Sequence, residues 1–179
     1  MWLYNILTAV VAIIVIIAVL YLLFRLFVLK QGDEHIVLLP KRKTNFQLLD
    51  MTFDSITLFC DIPFVNKGRQ NGTIMDLFPR HLLPEEQFDA VKVESWTMDM
   101  SRPRNDGYFE SVIIEPRKGG TIRLYVTLKA KNGNIRDALI GFPYMNIDIV
   151  YQVVGREDWH IAKDRVRLTP EELEAALGH

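Results

Sequence analysis

Catalytic and metal-binding chains hold a few reactive side chains at set spacings, and the candidates here are few. The histidines are His35, His81, His160 and His179. None forms a helical pair, and none stands at a ligand spacing from another histidine or from Cys60, so zinc or iron has no cluster to occupy. Cys60 is the one cysteine, which removes any intrachain disulfide and any thiolate zinc site. It shares the phase of Leu58 and Ile62, so a buried thiol is expected rather than an exposed nucleophile in an electropositive setting. Carboxylates are plentiful but scattered. Glu85-Glu86 follows Pro84, while Asp106 and Glu157-Asp158 lie in turn sequences, so a hydrolase would need acids that converge only on folding. Gly119-Gly120 precedes a strand, without a following Lys-Ser or helix, and so is no phosphate loop. No nucleophile elbow surrounds Ser55, Ser95, Ser101 or Ser111. The expectation is a non-enzyme with no catalytic, cofactor-binding or metal-ligating residue.

Binding is the other chemistry to weigh. Arg102, Arg104, Arg117, Lys118, Arg123, Lys129 and Lys131 gather mid-chain, and Tyr125 on an exposed phase could stack a base. From residue 31 onward, however, 19 basic side chains face 22 acidic ones, and the whole chain carries a net −1. A nucleic-acid binder needs a basic footprint to neutralise phosphates, so no nucleic acid is expected as partner. Apolar residues on exposed phases are more suggestive. Phe59, Val150 and Val154 fall opposite the main apolar rows, and Trp96, Trp159, Phe142 and Tyr144 lie at a bend or in loops. Such residues pack under loops or dock a partner protein; Phe59, Trp96 and Trp159 form the candidate partner patch.

The elements that position these residues follow from periodicity. Beyond Phe46 the apolar spacing becomes two, the signature of half-buried strands. Ile122, Leu124, Val126 and Leu128 alternate with Arg123, Tyr125 and Thr127; Ile56, Leu58, Cys60, Ile62 and Phe64 do the same, as do Met145, Ile147, Ile149, Tyr151 and Val153. Weaker strands are expected over residues 73–77, 91–98, 108–114 and 160–168, with a phase slip near Ser95 that suggests a bulge. Turn chemistry separates them: Asn66-Lys67-Gly68 through Asn71-Gly72, Arg102 through Gly107, Pro116 through Gly120, Asn132-Gly133-Asn134, and Gly155 to Asp158. About seven strands without long intervening helices point to an antiparallel β-sandwich. A short helix closes the chain. Thr169 is its N-cap, Pro170 its first helical residue and Glu172 the capping-box partner, with Leu173 and Leu177 on one face.

The N-terminus is different. No charged side chain occurs from Met1 to Phe24, and at about 1.5 Å per residue such a helix crosses the roughly 30 Å hydrocarbon layer. A cleaved signal would need a basic leader and small residues at the cut, whereas this segment ends Leu22-Leu23-Phe24-Arg25. The expectation is a retained anchor over residues 1–30, a juxtamembrane linker over 31–45, a sandwich over 46–168 and a helix over 169–179. Arg25, Lys30, Lys41, Arg42 and Lys43 follow the apolar run and are the candidate contacts to the bilayer surface; by the positive-inside rule they place the soluble domain in the cytoplasm. Ile36 to Leu39 reads as either a short strand or a stretch lying against lipid.

The strand Ile56-Thr57-Leu58-Phe59-Cys60-Asp61-Ile62-Pro63-Phe64-Val65, ended by Asn66-Lys67-Gly68 and followed by another strand, resembles the late-embryogenesis-abundant or water-stress type of immunoglobulin-like sandwich, often found behind a single membrane anchor. The resemblance spans roughly residues 52–168 and implies a non-enzymatic domain. The sequence thus leads to a mainly β, single-pass membrane protein whose sandwich binds or scaffolds a membrane-associated protein. The alternatives are lipid or hydrophobic-ligand transfer, with a ligand held between the sheets or at Ile36 to Leu39, and a hydrolase whose carboxylates converge in three dimensions.

Overall fold

A computed structural model describes residues 1–104, 106–156 and 158–178; Asn105, Glu157 and His179 lie outside the described residues, and with them one histidine and one turn carboxylate considered above. Helix α1 spans Trp2–Gln31. It carries apolar side chains on every side, is long and apolar enough to cross a membrane, and is not buried against the rest of the chain. Gly32 ends it at a φ of 66°, a left-handed conformation that glycine adopts without a Cβ clash.

Among the described residues nine strands follow: β1 (Ile36–Leu38), β2 (Gln47–Met51), β3 (Ser55–Asn66), β4 (Gly72–Leu82), β5 (Val91–Asp99), β6 (Val112–Ile114), β7 (Gly119–Ala130), β8 (Met145–Val154) and β9 (His160–Leu168). They form two antiparallel sheets. In the first, β1 and β2 share one edge of β3, and the order continues through β7 to β5; the second runs β6-β4-β8-β9. With β1 and β2 taken as one broken strand and β6 as an added edge, the sheets have the A-B-E-D and C-F-G orders of an immunoglobulin-like sandwich. The core is the sum of the inner rows. Ile56, Leu58, Ile62, Ile122, Leu124 and Leu128 from the first sheet meet Ile74, Met145, Ile147 and Ile149 from the second, all fully buried. Each such side chain contributes about 1.5–3 kcal/mol of burial, and their closure fills the space between the sheets.

One local reading is revised, and one that was left open is decided. Val91 through Asp99 pair with Ala130 through Ile122 in unbroken register, so the bulge expected near Ser95 is absent. The inward row Val91, Val93, Ser95, Thr97, Asp99 turns polar toward one end while Trp96 and Met98 face outward, which mimics a phase slip in the sequence. The true irregularities lie between Leu48 and Asp50 and between Met75 and Phe78, where Asp76 adopts a φ of 47°. Finally, Ile36–Leu38 is a strand paired with Phe64–Asn66, Pro40–Arg42 forms a 3-10 turn, and the Leu39 and Thr44 amides donate to the Pro63 and Asp61 carbonyls. Sandwich hydrogen bonding therefore begins well ahead of residue 46.

Two poles result. At the near pole, where α1 enters, Arg69 donates to the Lys30 carbonyl at 3.2 Å, and Arg156 donates to the Gln31 side chain. Asn66 knots this pole: its amide nitrogen donates to the Gln70 and Ile114 carbonyls, and its oxygen accepts from the His35 and Gly68 amides. That satisfies the side chain completely while it is fully buried. At the far pole sit α2 (Ile135–Ala138) and α3 (Pro170–Leu177). The Thr169 hydroxyl accepts from the Glu172 amide at 3.2 Å, Gly178 closes α3 in a left-handed conformation, and Leu173 is buried.

Candidate binding surfaces

Cys60, His81 and four carboxylates depart from their ordinary titration, each through burial or a hydrogen-bonded partner. Cys60 has no exposed surface, and burial pushes its thiol up to about 12, so it stays protonated at neutral pH. Four carboxylates move below their ordinary range: Glu94 through hydrogen bonds from Lys129 and Lys92, Asp106 through Arg104, Asp148 through Arg165, and Glu171 through the Thr169 hydroxyl. A general acid needs the opposite shift. Burial lowers His81, whose Nδ1 is covered and unpartnered. Among the described residues, no three His, Cys, Asp or Glu side chains converge on a metal position.

The outer face of the first sheet carries an aromatic row. Register places Phe59 on β3 opposite Tyr125 on β7, and Tyr125 opposite Trp96 on β5. Trp96 and Tyr125 stack with centroids 4.9 Å apart and planes 10° from parallel; Phe59 lies 6.4 Å from Tyr125 at 42°. One step along the strands, Arg123 grips Asp61 at 2.6 and 2.8 Å and covers the Phe59 ring at 4.4 Å. The hydrogen bond to Asp61 raises the guanidinium pKa beyond its ordinary value. On the other side, Thr57 and Thr127 share a 3.0 Å hydrogen bond. Tyr125 is buried beneath this layer, while Phe59 and Trp96 remain half-buried. The row is a stiff, cross-braced platform with one face to solvent.

The outer face of the second sheet is organised lengthwise. Ile113, Thr73 and Val154 form the row nearest the α1 pole, followed by Met75 with Gln152 and Ile161, then Phe78 with Val150 and Lys163. Farther away, Arg80 and Arg165 flank Asp148, which pairs with Arg165 at 2.6 Å and Lys163 at 3.5 Å; beyond them Arg167 lies 5.0 Å from the Tyr144 ring. The face therefore grades from apolar to basic. Ile113, Ile161 and Trp159 are 71%, 65% and 59% exposed.

The anticipated patch of Phe59, Trp96 and Trp159 is divided by this geometry: the first two flank Tyr125 on the first sheet, and Trp159 stands at the β8–β9 turn of the other. Met75 and Phe78 were hidden from sequence reading because the bulge at Asp76 obscures which β4 residues face outward, and Ile113 and Ile161 because β6 is three residues long and the outward row of β9 changes from apolar to basic. The basic set is dispersed too. Arg25 and Lys30 lie on the last turns of α1, and Lys41 and Arg42 are exposed on the 3-10 turn. Lys43 is turned into the protein, paired with Glu172 and set 4.8 Å from the Phe46 ring. A far-pole groove of about 400 Å³ is lined by Leu139, Ile140, Phe142, Leu173 and Leu177 with Arg136 and Glu174 at its rim.

No protein-family model matches the chain, and no curated protein matches it. Solved structures offer shallow likenesses. The GAE domain of GGA2p from Saccharomyces cerevisiae aligns at 10% identity and a TM-score of 0.35, covering 75% of this chain and 96% of its own. A Northeast Structural Genomics Consortium target aligns at 14% identity and 0.39, covering 76% and 86%. The yeast GGA1 GAE domain aligns at 8% and 0.34, covering 69% and 97%. The assignment of this chain to the immunoglobulin-like class rests on its own strand pairing.

Proposed function

We propose that this chain is a single-pass, membrane-anchored and non-catalytic sandwich that binds or scaffolds a membrane-associated protein. The observation that carries the reading is the Phe59–Tyr125–Trp96 row, a pre-formed aromatic platform on the outside of a rigid sheet. Aromatic anchors of this kind dominate protein–protein interfaces because they bury much area with little conformational freedom to lose. Arg123 beside Phe59 adds a planar donor group at the edge of the platform, although Asp61 already engages two of its nitrogens. In this reading α1 anchors the chain, Arg25 and Lys30 stay on the cytoplasmic side, and confinement to the membrane plane raises the sandwich's effective concentration toward partners held there. The Asn66-terminated strand that resembles the water-stress type of sandwich fits the same role.

Single-cysteine labelling at Asn5 and at Asn132 tests the topology, with buried Cys60 contributing no background. Proximity labelling from the far pole, comparing the native chain with Trp96→Ala and Phe59→Ala, tests the platform. Loss of the same membrane-associated neighbours in both variants is expected. Turnover of an ester, phosphoester or glycoside by the purified chain sinks the non-catalytic reading, and co-purified lipid in native mass spectrometry favours ligand transfer instead.

A further inference from the structure

The rows of the second sheet nearest α1 are the least explained surface of the molecule. Ile113, Ile161 and Trp159 project outward with most of their area uncovered, at the end of the sheet where the helix arrives. We propose that this rim is a second membrane contact, entering the headgroup layer of the leaflet that α1 leaves, with Lys163 above it close enough to attract anionic lipid. The proposal rests on the reading of α1 as an anchor.

Position is the first support. Arg156, three residues before Trp159, donates to the side chain of Gln31, the last residue of α1. The 30 residues of α1 extend about 45 Å, which matches the hydrocarbon layer plus both headgroup layers. The helix therefore delivers the β8–β9 turn to the headgroup surface, and a tilt of about 20° lowers it further. Residue chemistry is the second. An indole with one polar edge prefers the interface, and two flanking isoleucines give it apolar company. The third is the order of outward residues along β9, Ile161, Lys163, Arg165 and Arg167, with exposed Trp159 in the turn just before it. Outward positions on a strand are about 6.6 Å apart, so Lys163 clears the rim by one step and Arg165 by two. Lys163, about 7 Å above the rim, lies within the roughly 8 Å Debye length of physiological salt, whereas Arg165, about 13 Å up and paired with Asp148, lies beyond it. Among the described residues the acids in the neighbourhood are Asp33 and Glu34 just after α1, with Glu34 packed against Gly72 and Gly155, Glu115 after β6, Asp158 beside Trp159, Asp76 on the β4 bulge and Asp148, the last held by both cations.

The occupant is thus an anionic phospholipid surface, and a second copy of the chain is the rival. The full chain is reconstituted in phosphatidylcholine vesicles with and without phosphatidylserine, using acyl chains brominated near the headgroup as indole quenchers. Trp2, Trp96 and Trp159 are the only indoles, so the difference between the native chain and Trp159→Phe isolates the rim. A quenched component that disappears in Trp159→Phe, and that falls at least twofold without phosphatidylserine or on replacing Ile113 and Ile161 together by serine, is expected. Identical quenching of native and Trp159→Phe chains overturns the proposal, as does a site-specific cross-link joining position 161 of two copies. Quenching indifferent to phosphatidylserine overturns the role of Lys163. Trp2 separates the two failures: if the Trp159→Phe chain shows no quenching at all, the anchor has failed; if Trp2 is quenched and Trp159 is not, only the rim has.

Discussion

The two outer faces of the sandwich are built from similar amounts of apolar and charged side chain but arrange them differently. On the first sheet, polar and aromatic groups answer one another across strands. Trp96 stacks on Tyr125, Arg123 covers Phe59 while holding Asp61, and Thr57 meets Thr127. On the second sheet the groups are sorted by height, with isolated isoleucines and a tryptophan near α1 and arginines farther off. Mutual contact stabilises the fold, whereas sorting leaves a surface whose interactions must be completed from outside. A side chain at the middle of the first face, such as Tyr125, is therefore expected to act mainly on stability, its half-buried neighbours Phe59 and Trp96 on partner binding as well, and the uncovered residues of the second face on lipid association alone.

Substitutions can break or sharpen that contrast. The largest effect is expected from Tyr125→Ala, which removes the middle of the aromatic row and opens a void between its neighbours; it should lower unfolding free energy by about 3 kcal/mol in denaturant titration. An effect below about 1 kcal/mol would mean the row is ornament on the sheet. Arg123→Met should follow at about 1 kcal/mol, since it keeps an apolar stem but removes the guanidinium from Phe59 and strands Asp61 in a half-buried position. The double-mutant cycle of Arg123→Met with Asp61→Asn should show coupling, and additivity would dissolve the bracing described here.

On the second face the Asp148 pair gives a smaller, pH-dependent signal. Arg165 holds the Asp148 carboxyl below its ordinary range, so the pair's contribution is complete above the unfolded carboxylate value and is lost as pH falls through the lower folded one. Because both cations are about half exposed, this should amount to less than about 1 kcal/mol, and Asp148→Asn should flatten the acid limb of the stability profile by that much. Ile161→Ser should be the mildest, within about 0.5 kcal/mol in detergent, where lipid contact is gone. A larger loss would show that Ile161 belongs to the body of the sandwich rather than to its surface.

Legibility differed by element. The strands β3, β7 and β8 were readable because their inner rows are uninterrupted and face a fully dry core. Strand β5 was read with a bulge it lacks, since polar Ser95, Thr97 and Asp99 continue its inward row while Trp96 and Met98 face out; alternation alone cannot tell a slipped phase from an inverted polarity. The Asn66-Lys67-Gly68 turn was visible as a turn, but the knot Asn66 ties between the linker, both sheets and the β3–β4 connection depends on partners from His35 to Ile114. Lys43 illustrates the same limit. Grouped with Lys41 and Arg42 by sequence, it is drawn away by Glu172, a residue 129 positions later.

The amino-acid order by itself determined the apolar helix, the β-rich body and the capped final helix, because each follows from side chains within one or two turns or strand lengths of one another. Cross-strand register decided the rest. It brought Phe59 and Trp96 to the two sides of Tyr125, sent Trp159 to the opposite sheet, and lined Ile113 and Ile161 beside the end of α1. Those neighbours lie tens of residues apart, and a one-residue change of pairing would turn every one of them to the other face.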